Sequence, residues 1–330
     1  MYELIEPLIT MVFSLLVLII SSDVAIKYLV KISEITGLGK TRVGFTFLAT
    51  ITSLPELAVA FFSAVSGEAA VSIGNVLGSN VANICLAIGL GLIIYNFKKP
   101  KKESIIKFKP NELDMMYLGI FTASVIPILL ISFLPASRIV GLLLIIIYTY
   151  QSYKIISQRE LALEGFETTV ESNPQRNRIL IVSAILAFIG VFGVIISSDF
   201  VVDSAIKFSL LIGVPPSLIS ATIIAVGTSF PEITLGIQAM LKDHTEINFG
   251  NVIGSGFTNI TLILGATLIF SPTTLYIRAF SDLVTFSLLV NIVLWYFMHK
   301  GKLGWKEGFY LLVLYVLFLA SIMGIVVFPE

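Results

Sequence analysis

Two carboxylates stand where a carboxylate is expensive. Glu56 closes the stretch Ala-Thr-Ile-Thr-Ser-Leu-Pro-Glu and Glu232 closes Ala-Val-Gly-Thr-Ser-Phe-Pro-Glu, each inside a segment apolar enough to lie in lipid. A charge at the centre of a membrane helix costs about 2.5–3.5 kcal/mol even on lenient insertion scales, so the pair needs a partner. No Lys or Arg lies at matching depth, since Arg42 and Lys242 sit at the segment ends. A bound cation is the partner left. Around the first carboxylate Ala49, Thr52, Ser53 and Glu56 follow at i, i+3, i+4 and i+7, which is one polar stripe on a helix. Ala225, Thr228, Ser229 and Glu232 repeat it. A second pair of segments brings Gly74 and Gly78, a small-xxx-small face for close helix packing, with Asn75, Ser79 and Asn83, then Gly250 and Gly254 with Asn251, Ser255 and Asn259. Carboxylate, amide and hydroxyl oxygens with no thiol or imidazole suit calcium or sodium and offer nothing to a soft metal. Pro55 and Pro231 have no N–H, so each helix is expected to kink or break there, freeing the carbonyls of Ile51 and Gly227.

These residues belong to a duplication. Residues 44–94 fall on 220–270 at an offset of 176 without a gap. The shared core reads A-x-x-T-S-x-P-E, then G-N-V-x-G-S-x-x-x-N.

The elements that hold them follow from composition. With 56% hydrophobic residues, 13% charged and a mean hydropathy of +0.97, the 330 residues read as an all-α polytopic membrane protein, the lipid bilayer being its medium. A net charge of zero gives no basis for a nucleic-acid partner. One cysteine, Cys85, and two histidines at segment ends leave no disulfide framework and no His-based site. A span needs roughly 20 apolar residues. That ruler gives ten, near 7–30, 41–65, 70–96, 113–134, 137–157, 179–206, 216–240, 247–271, 277–299 and 306–327. Counting Lys and Arg by loop, 17 fall on the side reached after the odd-numbered spans and 3 on the other. The positive-inside rule then puts both termini outside a cell membrane.

The polar stretch 158–178 divides the chain into an N-terminal unit, 1–157, and a C-terminal unit, 179–330. Five spans is an odd number, so the second unit enters the membrane from the opposite side. Two inverted five-helix repeats are the signature of a secondary transporter, with its site at the midplane where the repeats meet. Asp23 and Asp199 share the same offset, and are read as capping or interhelical groups near helix ends, Asp23 pairing with Lys27.

The two motifs, T-S-L-P-E with G-N-V-L-G-S-N-V-A-N and G-T-S-F-P-E with G-N-V-I-G-S-G-F-T-N, resemble the alpha-repeats of the cation/calcium exchanger superfamily, most closely the sodium/calcium exchanger branch and its ten-helix prokaryotic members. The resemblance implies that Glu56 and Glu232 are the central calcium ligands, with Asn83 and Asn259 at the other two central positions. It implies that Thr52, Ser53, Ser79, Thr228, Ser229 and Ser255, with the carbonyls of Ala49 and Ala225, complete the sodium sites. It further implies alternating access, the first and sixth helices sliding across the rest; a monomer with no cofactor is the expectation beside it. Three departures stand out. Asn259 occupies a position where many exchangers have aspartate, Ile51 stands where Gly is usual, and Gly256 answers Asn80. Two carboxylates still neutralise one calcium.

The resulting expectation is a sodium/calcium antiporter in which both ions compete for Glu56 and Glu232. The alternative is a proton/calcium or other divalent cation antiporter. The proton-coupled branch carries a glutamate shortly after the Gly-Asn pair, where this chain is apolar or has Gly and Ser. An enzyme would need a nucleophile and a base at membrane depth, and the sequence supplies no such pair.

Overall fold

The structure, a computed structural model, describes residues 2–36, 49–100, 104–105, 110–132, 137–163, 174–271 and 280–324. Within them the chain forms ten helical spans: α1 Tyr2–Thr36, α2 from residue 49 through Leu54–Val65, α3 Ala69–Lys98, α4 Pro110–Ser132, α5 Arg138–Leu163, α6 Pro174–Ile212, α7 Pro216–Thr228 with Phe230–Leu241, α8 Thr245–Phe270, α9 Ser281–Lys300 and α10 Trp305–Ile322. The expected first part of the second span, residues 41–48, and the middle of the 158–178 stretch lie outside the described residues. So do Lys40, Arg42, Lys101, Lys102, Lys107, Lys109 and Arg278, on which part of the charge count rests.

Two spans depart from the expected lengths. α1 has 35 residues and α6 has 39, against about 24 and 28 expected from apolar length, because their helices run on through charged residues at both ends. At 1.5 Å per residue they reach about 52 and 58 Å, well beyond a 30 Å hydrocarbon layer. They pack against each other. A Cβ on Gly190 would lie 2.5 Å from the Ala25 nitrogen, and one on Gly193 would lie 2.4 Å from Ser21 Oγ. Only 22% of the apolar stretch of each is buried, against 78% for α3 and 72% for α8. Asp23 and Lys27 form no ion pair; the Lys27 ammonium instead lies 5.7 Å from the centre of the Tyr28 ring. The helical i,i+4 pair present is Asp203 with Lys207, at 2.6 Å on α6.

The duplication is visible in the backbone. The break in α2 falls at Ser53 (φ −84°, ψ 12°) and the break in α7 at Ser229 (φ −80°, ψ 0°). The turns that follow match as well: Gly67 (φ +75°) then Glu68 (φ −104°, ψ 57°), and Asp243 (φ +65°) then His244 (φ −107°, ψ 59°). Close helix crossings also come in pairs. A Cβ on Gly308 of α10 would meet the Gly89 carbonyl at 2.6 Å, and a Cβ on Gly141 of α5 would meet the Gly265 carbonyl at 2.6 Å. Gly89 and Gly265 are 176 residues apart.

Contacts between loops fix the alternation of the spans. Arg176, at the start of α6, donates to the carbonyl of Ile35 at the end of α1. Lys99, after α3, pairs with Asp243, after α7, at 2.9 Å. Ser104–Ile105, after α3, pairs antiparallel with Lys302–Leu303, after α9. The end of α1 thus lies with the start of α6, and the loops after α3, α7 and α9 lie together, as the alternation requires if α7 crosses once despite its break. Two apolar clusters fill the interior. The larger joins α3, α4, α5, α8, α9 and α10 with both halves of α7 and, at Ala60, α2; the smaller joins α1 and α6 to α2, α3 and α7 through Met11, Leu18, Val59, Val201 and Ile224.

Candidate cation-binding site

The breaks position the acids. Each helix stops at a serine in the bridge region of backbone space and restarts one residue later. Pro55 and Pro231 then occupy the first turn of the new half-helices, where a missing N–H costs nothing. The break thus lies two residues before each proline, not at it as the sequence suggested. Glu56 and Glu232 follow immediately in those first turns. Free N–H groups and the positive end of the helix dipole face them, which offsets part of the cost of burying charge.

All twelve expected site residues are buried, none more than 1% exposed. Hydrogen bonds join most of them across the repeat boundary. Ser53 Oγ on α2 donates to Ser255 Oγ on α8 at 3.2 Å, and Ser255 Oγ reaches Glu232 Oε1 at 3.4 Å. Ser229 Oγ on α7 donates to Glu56 Oε1 on α2 at 3.4 Å. The threonines answer one another. Thr52 Oγ1 lies 3.1 Å from the Ala49 carbonyl, 3.4 Å from Ser255 Oγ and 3.4 Å from Asn251 Oδ1. Thr228 Oγ1 lies 3.3 Å from the Ala225 carbonyl, 3.3 Å from Ser79 Oγ and 3.2 Å from Asn75 Oδ1. The two asparagines stand apart: Asn259 bonds only to Asn80, outside the twelve, and Asn83, a turn beyond Ser79 on the same face of α3, has no side-chain hydrogen bond.

Four oxygens are left over. Glu56 Oε2, Glu232 Oε2, Asn83 Oδ1 and Asn259 Oδ1 are all buried and have no hydrogen-bond partner. An orphaned buried polar atom costs about 1–3 kcal/mol, more where it carries charge. Amide nitrogens of Asn75, Asn80, Asn83 and Asn251 are buried and unpartnered as well, but the four oxygens fall on the two carboxylates and the two asparagines that the sequence singled out, which is a donor set able to surround a cation. Among the described residues no cluster of three or more His, Cys, Asp and Glu exists, so the donor set is two carboxylates filled out by neutral oxygens.

Sequence reasoning missed three parts of this site. Wide π-type turns begin at the two asparagines, Asn83–Ile88 and Asn259–Ile263. Such turns collect at functional sites, and periodicity does not reveal them. Asn75 and Asn251 were legible as part of the motif but not as the acceptors that hold the threonines. Asn80 was legible only as a departure from symmetry, whereas its Oδ1 accepts the Asn259 amide at 3.0 Å.

A family model described as sodium/calcium exchanger protein matches residues 6–154 and 182–324. The chain is 27% identical over 356 residues to the sodium/calcium exchanger MaX1 of Methanosarcina acetivorans, covering 96% of this chain and 98% of that protein. It is 29% identical over 280 residues to the uncharacterized membrane protein MJ0091 of Methanocaldococcus jannaschii, covering 85% of this chain and 86% of that one. Among solved structures it resembles the sodium-calcium exchanger NCX_Mj soaked with 2.5 mM Na+ and 10 mM Sr2+, with a TM-score of 0.66 and 25% identity over 96% of this chain and 99% of that one.

Proposed function

Since this chain belongs to the sodium/calcium exchanger protein family of membrane antiporters, and is a transporter and not an enzyme, we propose that it exchanges sodium for calcium across the cell membrane at the site built from Glu56 and Glu232. The observation that carries the reading is the set of four buried, unpartnered acceptor oxygens on Glu56, Glu232, Asn83 and Asn259. Calcium takes six to eight oxygen ligands at 2.3–2.6 Å. The four central oxygens supply a core, and the hydroxyls of Thr52, Ser53, Ser79, Thr228, Ser229 and Ser255 with the carbonyls of Ala49 and Ala225 lie around it as further ligands for sodium. Calcium and sodium both draw on the same two carboxylates. Binding of one weakens the other, and that exclusion couples the fluxes.

The residues 1–157 and 179–330 act in this reading as two inverted units, with 158–178 as the cytoplasmic connection and both termini outside. The grouping of the loops after α3, α7 and α9 supports this, because Lys98, Lys99, Lys242 and Lys300 stand at those ends of the spans. Each chain carries a whole site, so the monomer is the working unit.

The test is calcium uptake into proteoliposomes loaded with sodium, with potassium-loaded vesicles and an imposed pH gradient as controls, for wild type and Glu56→Gln. Uptake that requires internal sodium and is lost in the variant supports the proposal. Uptake that follows the pH gradient and ignores sodium gives the protein to proton/calcium exchange at the same two glutamates.

A further inference from the structure

The two halves of the site differ at one pair of positions: Asn80 in α3 answers Gly256 in α8. Asn80 is 2% exposed and its Oδ1 accepts a hydrogen bond from Asn259 Nδ2 at 3.0 Å. A carboxamide has one acceptor and one donor end, on opposite sides of the same planar group. With Nδ2 donating to Asn80, whose own Nδ2 has no partner, the Asn259 oxygen is turned the other way, and that oxygen is one of the four unpartnered acceptors. Asn83, the counterpart of Asn259, has no such tether: neither its Oδ1 nor its Nδ2 has a hydrogen-bond partner. The reason is Gly256, which stands at the position equivalent to Asn80 and has no side chain to offer. Gly256 serves the other partner instead, since a Cβ there would already lie 3.7 Å from Asn80 Oδ1, and anything longer would crowd the amide. Behind Asn80 is a cavity of ≈ 10 Å³ that Gly119, Gly256 and Asn291 help to line, room for one water and too little for the side chain to swing away.

From this we infer that Asn80 is a positioning residue that sets the divalent-cation affinity of the site by locking the Asn259 amide with its oxygen toward the ion. The inference rests on the reading of Asn259 as a ligand. Its physical basis is that an untethered amide beside two carboxylates turns its NH2 to them, because donor to anion is the favourable pairing. That orientation caps the acids when the site is empty and presents N–H groups to an arriving cation. The tether forbids it. Its importance follows from the residue it holds: a carboxylate at 259 would show oxygen at either end and need no orientation, whereas an amide must be told which way to face.

The experiment is a double-mutant cycle read as the half-saturating external calcium in sodium-loaded proteoliposomes. Asn80→Ala is expected to raise it about tenfold, the change that accompanies one weakened contact to a charge, with the maximal rate little changed. Asn80→Leu fills the same space without an acceptor and is expected to give the same shift, so that loss of packing is not mistaken for loss of the tether. In the Asn259→Asp background Asn80→Ala is expected to shift it by no more than about twofold, since orientation no longer matters. Equal shifts in the two backgrounds, or no shift from Asn80→Ala alone, would overturn the inference and leave Asn259 as a ligand. An Asn259→Ala variant with wild-type half-saturating calcium would overturn the ligand reading itself.

Discussion

At the scale of single residues the chain sets a cost against a use. Glu56 and Glu232 are fully buried, each with one oxygen held by a serine hydroxyl and one by nothing. Replacing either with glutamine keeps the shape and removes the charge, so the ion-free protein should be no less stable while its response to calcium disappears. The measurement is thermal unfolding with and without calcium. At a hundred times its dissociation constant a ligand stabilises the folded state by about 2.7 kcal/mol. Wild type should show that upward shift in midpoint, and Glu56→Gln and Glu232→Gln should show none. A calcium-dependent shift retained in full by both variants would remove the two acids from the site. Both acids were legible in the sequence because a duplicated carboxylate in an apolar segment has few explanations. Asn80 was not, since its role depends on a contact 179 residues away, and spacing along one helix says nothing of what faces it from another.

Among elements, the positions of the acids depend on how closely α3 can approach the first half of α7. Gly74 and Gly78 make that approach. A Cβ on Gly78 would fall 2.2 Å from the Ala221 carbonyl and one on Gly74 would fall 2.3 Å from the Ser217 carbonyl, backbone in both cases. Backbone does not rotate aside, so the helices themselves must separate. Gly78→Ala should therefore cost about 1–3 kcal/mol of stability, in the range of overpacked interiors, and should move Ser79 away from Thr228, 3.3 Å distant. The expected result is a lowered thermal midpoint together with weaker sodium dependence of transport. An unchanged midpoint would mean that the crossing has slack. The sequence foretold this face from its small-xxx-small spacing, and foretold both helix breaks from the prolines. It put the breaks two residues late, because a proline is as comfortable in the first turn of a new helix as it is disruptive in the middle of an old one.

For the whole molecule, packing separates one pair of helices from the rest. α1 and α6 are the longest spans, touch each other at Gly190 and Gly193, and meet the bundle through the smaller apolar cluster. Helices bound mainly to each other can shift together without opening the larger core that holds the site. Alternating access by this pair predicts opposite outcomes for two cross-links made in a Cys85→Ser background. Cysteines at Ser21 and Gly193 join α1 to α6 and should leave sodium-driven calcium uptake near the level of the reduced protein, since the pair moves as a unit. Cysteines at Leu15 and Gly227 join α1 to α7, where Leu15 Cδ2 lies 2.7 Å from the position of a Gly227 Cβ. That bond should stop uptake until a reductant is added. Arrest by the first link and not the second would assign the motion to other helices. Hydropathy alone gave ten spans and their inversion, since span count, loop charge and the offset of 176 are properties of the sequence. The expectation that the first and sixth helices slide comes from the family resemblance, not from any pattern in their own residues; what the structure adds is their length, their low burial and their contact with each other.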